Sequence, residues 1–313
     1  MAANRQPSQA STGSASTGQA RWLITGAGGQ LGSDLVRVLR EQDVLDSHVL
    51  AVTSSELDIT SSSAIAAAFT DFDPTVVINA AAYTAVDKAE TDEERAFAVN
   101  ASGPALLAAG AARTGARLLH VSTDYVFSGG AREPYPVDAP TDPRSAYGRT
   151  KLAGELAVRE LAPDLGYVVR TAWVYGASGA NFVKTMARLE GAHETVQVVD
   201  DQRGSPTWSA DLARGLVQLA RSDAAPGTYH CTGSGDTTWY GFTQAIFEEL
   251  GADPARVLPT TTDKFPRPAP RPAYSVLSDS RWIAAGLTPL PHWRAALSEA
   301  FAEDGAAFRS PMG

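Results

Sequence analysis

The sequence predicts an α/β fold: a doubly wound, Rossmann-type parallel sheet with a smaller, discontinuous C-terminal lobe. Three observations predict it. A short apolar strand runs directly into a glycine turn and an amphipathic helix between Trp22 and Leu39. Apolar, largely β-branched runs then alternate with helical stripes as far as Gly176. Past Gly176 the pattern breaks into shorter pieces. Strands alternating with helices of this length bury a parallel sheet under two helical layers.

Composition narrows the function classes. The chain has 313 residues, 44% of them hydrophobic and 19% charged, which suits a globular protein with a substantial core. It carries 26 Lys+Arg against 35 Asp+Glu, a net charge of -9, which argues against coating a nucleic acid. The single cysteine, Cys231, excludes an intrachain disulfide and a Cys-based zinc site. Five scattered histidines suggest no metal. Residues 1–20 are mostly Ser, Thr, Ala, Gly and Gln and are expected to be a disordered tail without a secretory signal. No window reaches the roughly 18 apolar residues of a membrane span, so a cytoplasmic protein is expected.

The first strand, Trp22-Leu23-Ile24-Thr25, is followed by Gly26-x-x-Gly29-x-x-Gly32 and a stripe of Leu31, Leu35, Val36, Val38 and Leu39. Glycines at a strand-to-helix junction let the backbone approach a pyrophosphate, whose charge then sits at the helix N-terminus. This spacing makes residues 21–176 a candidate dinucleotide-binding domain. His48 to Thr53 reads as a second strand. It ends in Thr53-Ser54-Ser55, with neither a ribose-binding acid nor a closely following arginine, so NADH and NADPH both remain open. Asp58 with Ile59 suits an adenine edge, or equally a helix cap. Thr75 to Asn79 is a third strand leading into Ala80-Ala81-Ala82-Tyr83-Thr84, small residues against which a cofactor can lie. A single amphipathic helix is predicted from Asp87 to Val99, with a restart at Gly103-Pro104.

The fourth strand, Arg117 to Ser122, delivers Thr123, Asp124 and Tyr125 at its C-terminal end, where ligands bind in open α/β sheets. Ser145 then caps a helix carrying Tyr147 and Lys151, one turn apart on one face. An ammonium beside a phenol lowers the phenol's pKa and makes it a usable proton donor near neutral pH. Tyr167 to Arg170 reads as the fifth strand, with Trp173 just beyond it.

Gly26-x-x-Gly29-x-x-Gly32 with Tyr147-x-x-x-Lys151 resembles the extended short-chain dehydrogenase/reductase superfamily. Longer strings are similar to its dTDP-4-dehydrorhamnose reductase family: Asn79 to Glu90, Ser122 to Phe127, Arg170 to Gly176, Asp201 to Thr207 and Arg271 to Ser275. The likeness covers about Arg21 to Phe301. It implies reduction of the C4 ketone of dTDP-4-dehydro-β-L-rhamnose by NADPH or NADH, with a nucleotide-sugar substrate and a monomer or homodimer. By the same resemblance Tyr147, Lys151 and Thr123 are catalytic. The cofactor would lie against Gly26, Gly29, Gln30, Leu31, Gly32, Asp58, Ile59, Ala80, Ala81, Ala82, Thr84, Asn100, Tyr147 and Lys151. The substrate would meet Thr123, Asp124, Tyr125, Trp173 and Arg271. A dehydratase of the superfamily would place Asp-Glu where this chain has Asp124-Tyr125. Reduction of another dTDP-4-keto-6-deoxysugar, or a non-catalytic regulatory subunit of the same fold, are the alternatives. Some relatives form metal-linked dimers through glutamates; Asp34 stands at the corresponding helix position, and no metal is predicted.

Residues 177–313 are expected to form mainly a substrate-binding lobe interleaved with the sheet. Helices are predicted at Phe182 to Glu190, Trp208 to Arg221 and Tyr240 to Leu250, and strands at Thr195 to Val199 and Gly227 to Cys231. Leu258 to Pro272 holds five prolines and two arginines, either a fixed loop that grips a diphosphate or a solvated linker.

Overall fold

The computed structural model describes residues 20–309, so the tail expected over residues 1–20 lies outside them except for Ala20. Six parallel strands form the main sheet: β1 (Trp22–Thr25), β2 (Val49–Val52), β3 (Val76–Asn79), β4 (Arg117–Thr123), β5 (Gly166–Thr171) and β6 (Gly227–His230). Their spatial order is β2-β1-β3-β4-β5-β6. The order reverses between β1 and β3, which opens a crevice above their C-terminal ends.

Strand periodicity of two sorts the core into two faces. Trp22 and Ile24 point to one side with Leu35, Leu39, Leu216 and Tyr229. Leu23 points to the other with Val77, Leu107, Leu118 and Val168. Burying such side chains is worth about 1.5–3 kcal/mol each, the main term holding the helical layers to the sheet.

The chain past residue 177 does not stay in one lobe. Ser209–Arg221 is a helix that packs on the helix Gln30–Glu41, and β6 extends the sheet beside β5. The remaining pieces enclose a separate core of Tyr175, Val183, Trp208, Phe242, Trp293 and Phe308. Val196–Val199 pairs there in parallel with Val257–Thr260. The helix Trp293–Arg309, which the sequence pattern did not suggest, closes that core. Its Glu303 reaches back to Arg37 of the first helix at 2.9 Å.

The single helix expected from Asp87 to Val99 is instead two short ones, Val86–Ala89 and Glu93–Phe97. The turn between them has other commitments. The Glu90 carboxylate accepts the Ala146 N–H at 2.8 Å, and Asp92 accepts the Tyr83 hydroxyl at 3.0 Å. A π-turn at Ala98–Ser102 then carries the chain without a break into the helix Gly103–Thr114, and Pro104, which lacks an N–H, follows directly on that turn.

Ser145 caps the helix Ala146–Leu161 as expected, accepting the Gly148 N–H at 3.1 Å. Deeper in the same helix Glu155 meets Arg170 of β5 at 2.7 Å, both side chains buried. Ser122 of β4 donates to Glu155 as well, at 2.6 Å. Helix, β4 and β5 are thereby locked in one relative position, directly beneath Tyr147 and Lys151.

Candidate active site

A cleft of about 830 Å³ runs across the C-terminal ends of the strands. Gly26, Gly29, Gln30, Leu31, Gly32, Asp58, Ile59, Ala80, Ala81, Ala82 and Thr84 line one end. Thr123, Asp124, Tyr125, Tyr147, Lys151 and Trp173 line the other. The fold therefore brings most of the expected site residues into one continuous space.

The glycine end is shaped for an anion. Gly26 has φ +71°, and a Cβ there would lie 2.7 Å from the Ala81 nitrogen. A Cβ on Gly32 would lie 2.2 Å from the Gly26 carbonyl oxygen. Only hydrogen fits at these two positions, and the helix is thus seated tightly on the turn. Its N-cap is Gly29, with no side-chain cap and no acidic residue in the first turn. The orphan N–H groups of that turn are left for a ligand with negative charge, as a pyrophosphate would be. Asp58 is fixed by its own loop, its Oδ1 accepting from the Thr60 N–H at 2.9 Å and hydroxyl at 2.8 Å. These bonds hold its carboxyl below the usual range.

At the other end three hydroxyl and carboxyl groups are connected. Thr123 donates to Asp124 Oδ1 at 2.9 Å and accepts the Tyr125 N–H at 3.2 Å. The Tyr147 phenol lies close enough to the Thr123 hydroxyl for that hydroxyl to act on its titration, and it packs edge-on against the Tyr125 ring, centroids 5.5 Å apart. Asp124 is only 3% exposed. Burial lifts its carboxyl to about 6, while the Ser275 and Thr123 hydroxyls pull the other way. Neither Asp124 Oδ2 nor Ser275 Oγ has a partner in full hydrogen-bond geometry, and Thr171 Oγ1 beside Thr123 also lacks one. Unpaired buried oxygens cost free energy until a donor reaches them, so this corner suits a ligand rich in hydroxyl groups.

Trp173 forms a wall of the cleft in a left-handed backbone conformation, φ +49°. Its indole stacks on Trp239 at 3.5 Å, with planes 7° apart. On its other side lies Gly204, where a Cβ would come within 2.5 Å of the indole. Strain of this kind persists only where the surroundings over-determine it.

Three of the expected site residues have partners of their own in the structure. Asn100 does not line the cleft: its amide donates to the Tyr83 carbonyl and Thr150 hydroxyl, both at 3.1 Å, and accepts the Tyr83 N–H at 2.8 Å. It clamps the Ala82–Thr84 turn to the Tyr147 helix. Arg271 lines a small hollow beside Tyr125, and its guanidinium donates to Asp87 at 2.8 Å. Lys151, finally, has a partner on β4: its amine points to the Val121 carbonyl, 2.6 Å away. Burial pushes the Tyr147 phenol up to about 12, and its relief comes from Thr123.

Other cleft residues were not legible in the sequence. Arg95 reaches the cleft from the helix Glu93–Phe97 and lies within electrostatic reach of Asp58. Trp239 enters from a distant helix, and Gly179 from the loop that crosses over Gln30. Asp34, the position considered for a metal, accepts from the Ser209 hydroxyl and from Arg37 at 3.0 Å. Among the described residues no group of three His, Cys, Asp or Glu could hold a metal ion.

The family model of the RmlD substrate binding domain matches residues 20–305. The chain belongs to this family. A dTDP-4-dehydrorhamnose reductase of Streptomyces griseus is 54% identical over 285 residues, covering 90% of this chain and 93% of its own. A dTDP-4-keto-6-deoxy-D-glucose reductase of Streptomyces niveus is 49% identical, covering 90% of this chain and 96% of its own. The crystal structure of a Bacillus anthracis dTDP-4-dehydrorhamnose reductase in complex with NADP superposes with TM-score 0.85 at 36% identity, covering 91% of this chain and 99% of its own. Membership of the RmlD family bears out the resemblance drawn from the motifs and the doubly wound fold expected from the strand pattern. No helix of the described residues is long and apolar enough to cross a membrane.

Proposed function

We propose that this RmlD-family chain is an NAD(P)H-dependent reductase that converts the C4 ketone of dTDP-4-dehydro-β-L-rhamnose to the alcohol of dTDP-β-L-rhamnose. The observation that carries the reading is the shared cleft. An uncapped helix N-terminus over a glycine turn opens into the same space as Tyr147, Thr123 and Asp124.

Gly29, Gln30 and Leu31 would hold the pyrophosphate, with Ala80, Ala81, Ala82 and Thr84 along the ribose and Asp58 and Ile59 at the adenine. Bound NAD(P)H would supply the hydride. As charge builds on the ketone oxygen, Tyr147 gives that oxygen its phenolic proton, so the O–H bond of Tyr147 breaks as the alcohol O–H forms. A phenol held at about 12 keeps its proton until such a strong base appears beside it. Thr123, whose hydroxyl lies beside the phenol, orients it. Asp124 and Tyr125 meet the sugar hydroxyls, and Trp173 packs against the sugar ring. Lys151 holds the nicotinamide ribose. The enzyme would act in the cytoplasm as a monomer or homodimer.

The corresponding reduction of another dTDP-4-keto-6-deoxysugar is the second reading, favoured by the Streptomyces niveus relative. Coenzyme oxidation followed with a panel of 4-keto sugar nucleotides, each with NADH and NADPH, tests both. No turnover of any member would overturn the proposal.

A further inference from the structure

Below the cleft floor lies a buried polar row that the proposed reaction does not use. Thr25, Asn79 and His120 are register neighbours across β1, β3 and β4, and all three are buried. Thr25 Oγ1 donates to Asn79 Oδ1 at 2.7 Å, and the Ala81 N–H donates to the same oxygen at 3.2 Å. Asn79 Oδ1 is therefore the acceptor end, and Nδ2 is the end that faces His120 Nδ1 at 3.0 Å. An amide N–H facing a ring nitrogen makes that nitrogen the acceptor, so the neutral ring carries its proton on Nε2. His120 Nε2 in turn faces Lys151 Nζ at 3.5 Å. A second direction of the amine is taken by the Val121 carbonyl, which leaves a third for the cleft.

A ring N–H aimed at an ammonium opposes it, whereas a neutral amine presents a lone pair to it. From this geometry we infer that His120, oriented by Asn79 and Thr25, is a positioning residue for Lys151 that fixes the amine and weakens its hold on its proton. The inference rests on the proposed role of Lys151 in the reductase site. Burial of both groups acts in the same direction. Lys151 is 1% exposed and lowered to about 8, and His120 is held well below its ordinary value by burial and by the amine. Besides His120, the charged group that acts on the amine is Glu155 on its own helix, which pairs with Arg170 of β5. Glu155 favours the cation but is itself neutralised by Arg170. No counter-charge comes from β4, where His120 stands.

The experiment compares His120→Phe with His120→Gln in the full chain. Glutamine offers an oxygen to Asn79 and an N–H to Lys151, so it preserves the polarity that phenylalanine removes. In the wild type, kcat/KM for the sugar nucleotide is expected to fall on the basic side through about pH 8 as the ammonium is lost. His120→Phe is expected to move that limb upward by about one unit or more, and His120→Gln to keep it near the wild-type position. A limb unmoved in His120→Phe, with activity lowered equally at all pH values, would overturn the inference. The second measurement needs neither activity nor a folded Phe variant. With only four lysines in the chain, ¹³C NMR of labelled lysine side chains, assigned by Lys151→Met, reads the amine's titration in the free wild type and in His120→Gln. A Lys151 midpoint near that of the other three lysines would also overturn it. If the titration is as inferred and no keto sugar is reduced, the proposed function fails alone.

Discussion

Trp173 and Trp239 lie face to face, 3.5 Å apart, although 66 positions of sequence separate them. The stack joins the end of β5 to the C-terminal lobe and makes one aromatic wall from two parts of the chain. Trp239→Leu is expected to raise KM for the sugar nucleotide about 5- to 20-fold, with KM for the coenzyme nearly unchanged. Gly204→Ala, which pushes a methyl into the indole, should do the same. Steady-state kinetics with each substrate varied in turn checks both.

Tyr147→Phe keeps the ring that packs on Tyr125 and removes only the proton donor. Turnover should fall by at least about 100-fold, while coenzyme affinity, measured by titration of nicotinamide fluorescence, stays within about twofold. Activity above a tenth of wild type would remove Tyr147 from the acid role.

Asp124 joins stability to pH. Its carboxyl titrates at about 6 in the folded chain against 3.8 for the free group. Between those values the folded chain keeps a proton that the unfolded chain releases, so stability falls as pH rises from about 4 to 6 and stays lower above that. Asp124→Asn removes this dependence. It should be more stable than wild type at pH 7.5, by about 3 kcal/mol, yet lose at least about tenfold in kcat/KM. Chemical denaturation at pH 4 and pH 7.5 reads the first effect; equal stability differences at both values would contradict it.

Arg95 and Lys151 are the only Lys or Arg residues lining the cleft among the described residues, and Arg95 lies within electrostatic reach of Asp58. A guanidinium there pairs with a 2′-phosphate and gains little from a 2′-hydroxyl. Arg95→Ala is expected to raise KM about tenfold for NADPH and less than twofold for NADH. Equal changes for both coenzymes would assign Arg95 to the adenine ring instead.

What could be read from the sequence was local. The glycine turn, the Ser145 cap and the one-turn spacing of Tyr147 and Lys151 each occupy a single segment, and each occurs where expected. What could not be read depends on register between distant segments. Tyr147 and Lys151 share a helical face, but the side-chain directions are decided by Thr123 and Val121 on β4. The proline-rich loop read equally as a diphosphate grip or a solvated linker; what its Arg271 meets is Asp87, 184 positions earlier. Asn100 has the composition of a site residue and the contacts of a structural clamp. Nothing local marks Arg95 or Trp239, which are brought in by the packing of other elements.

The core on one face of the sheet contains both Trp22 and Leu290. During synthesis, the apolar surface of the first strand and helix has no complete cover until Leu212, Leu216 and Tyr229 have left the ribosome, and is sealed only when Trp282 and Leu290 follow. Nascent fragments of this chain thus expose an adhesive sheet face for most of translation, which makes them natural clients for chaperones and poor candidates for independent expression as an N-terminal half.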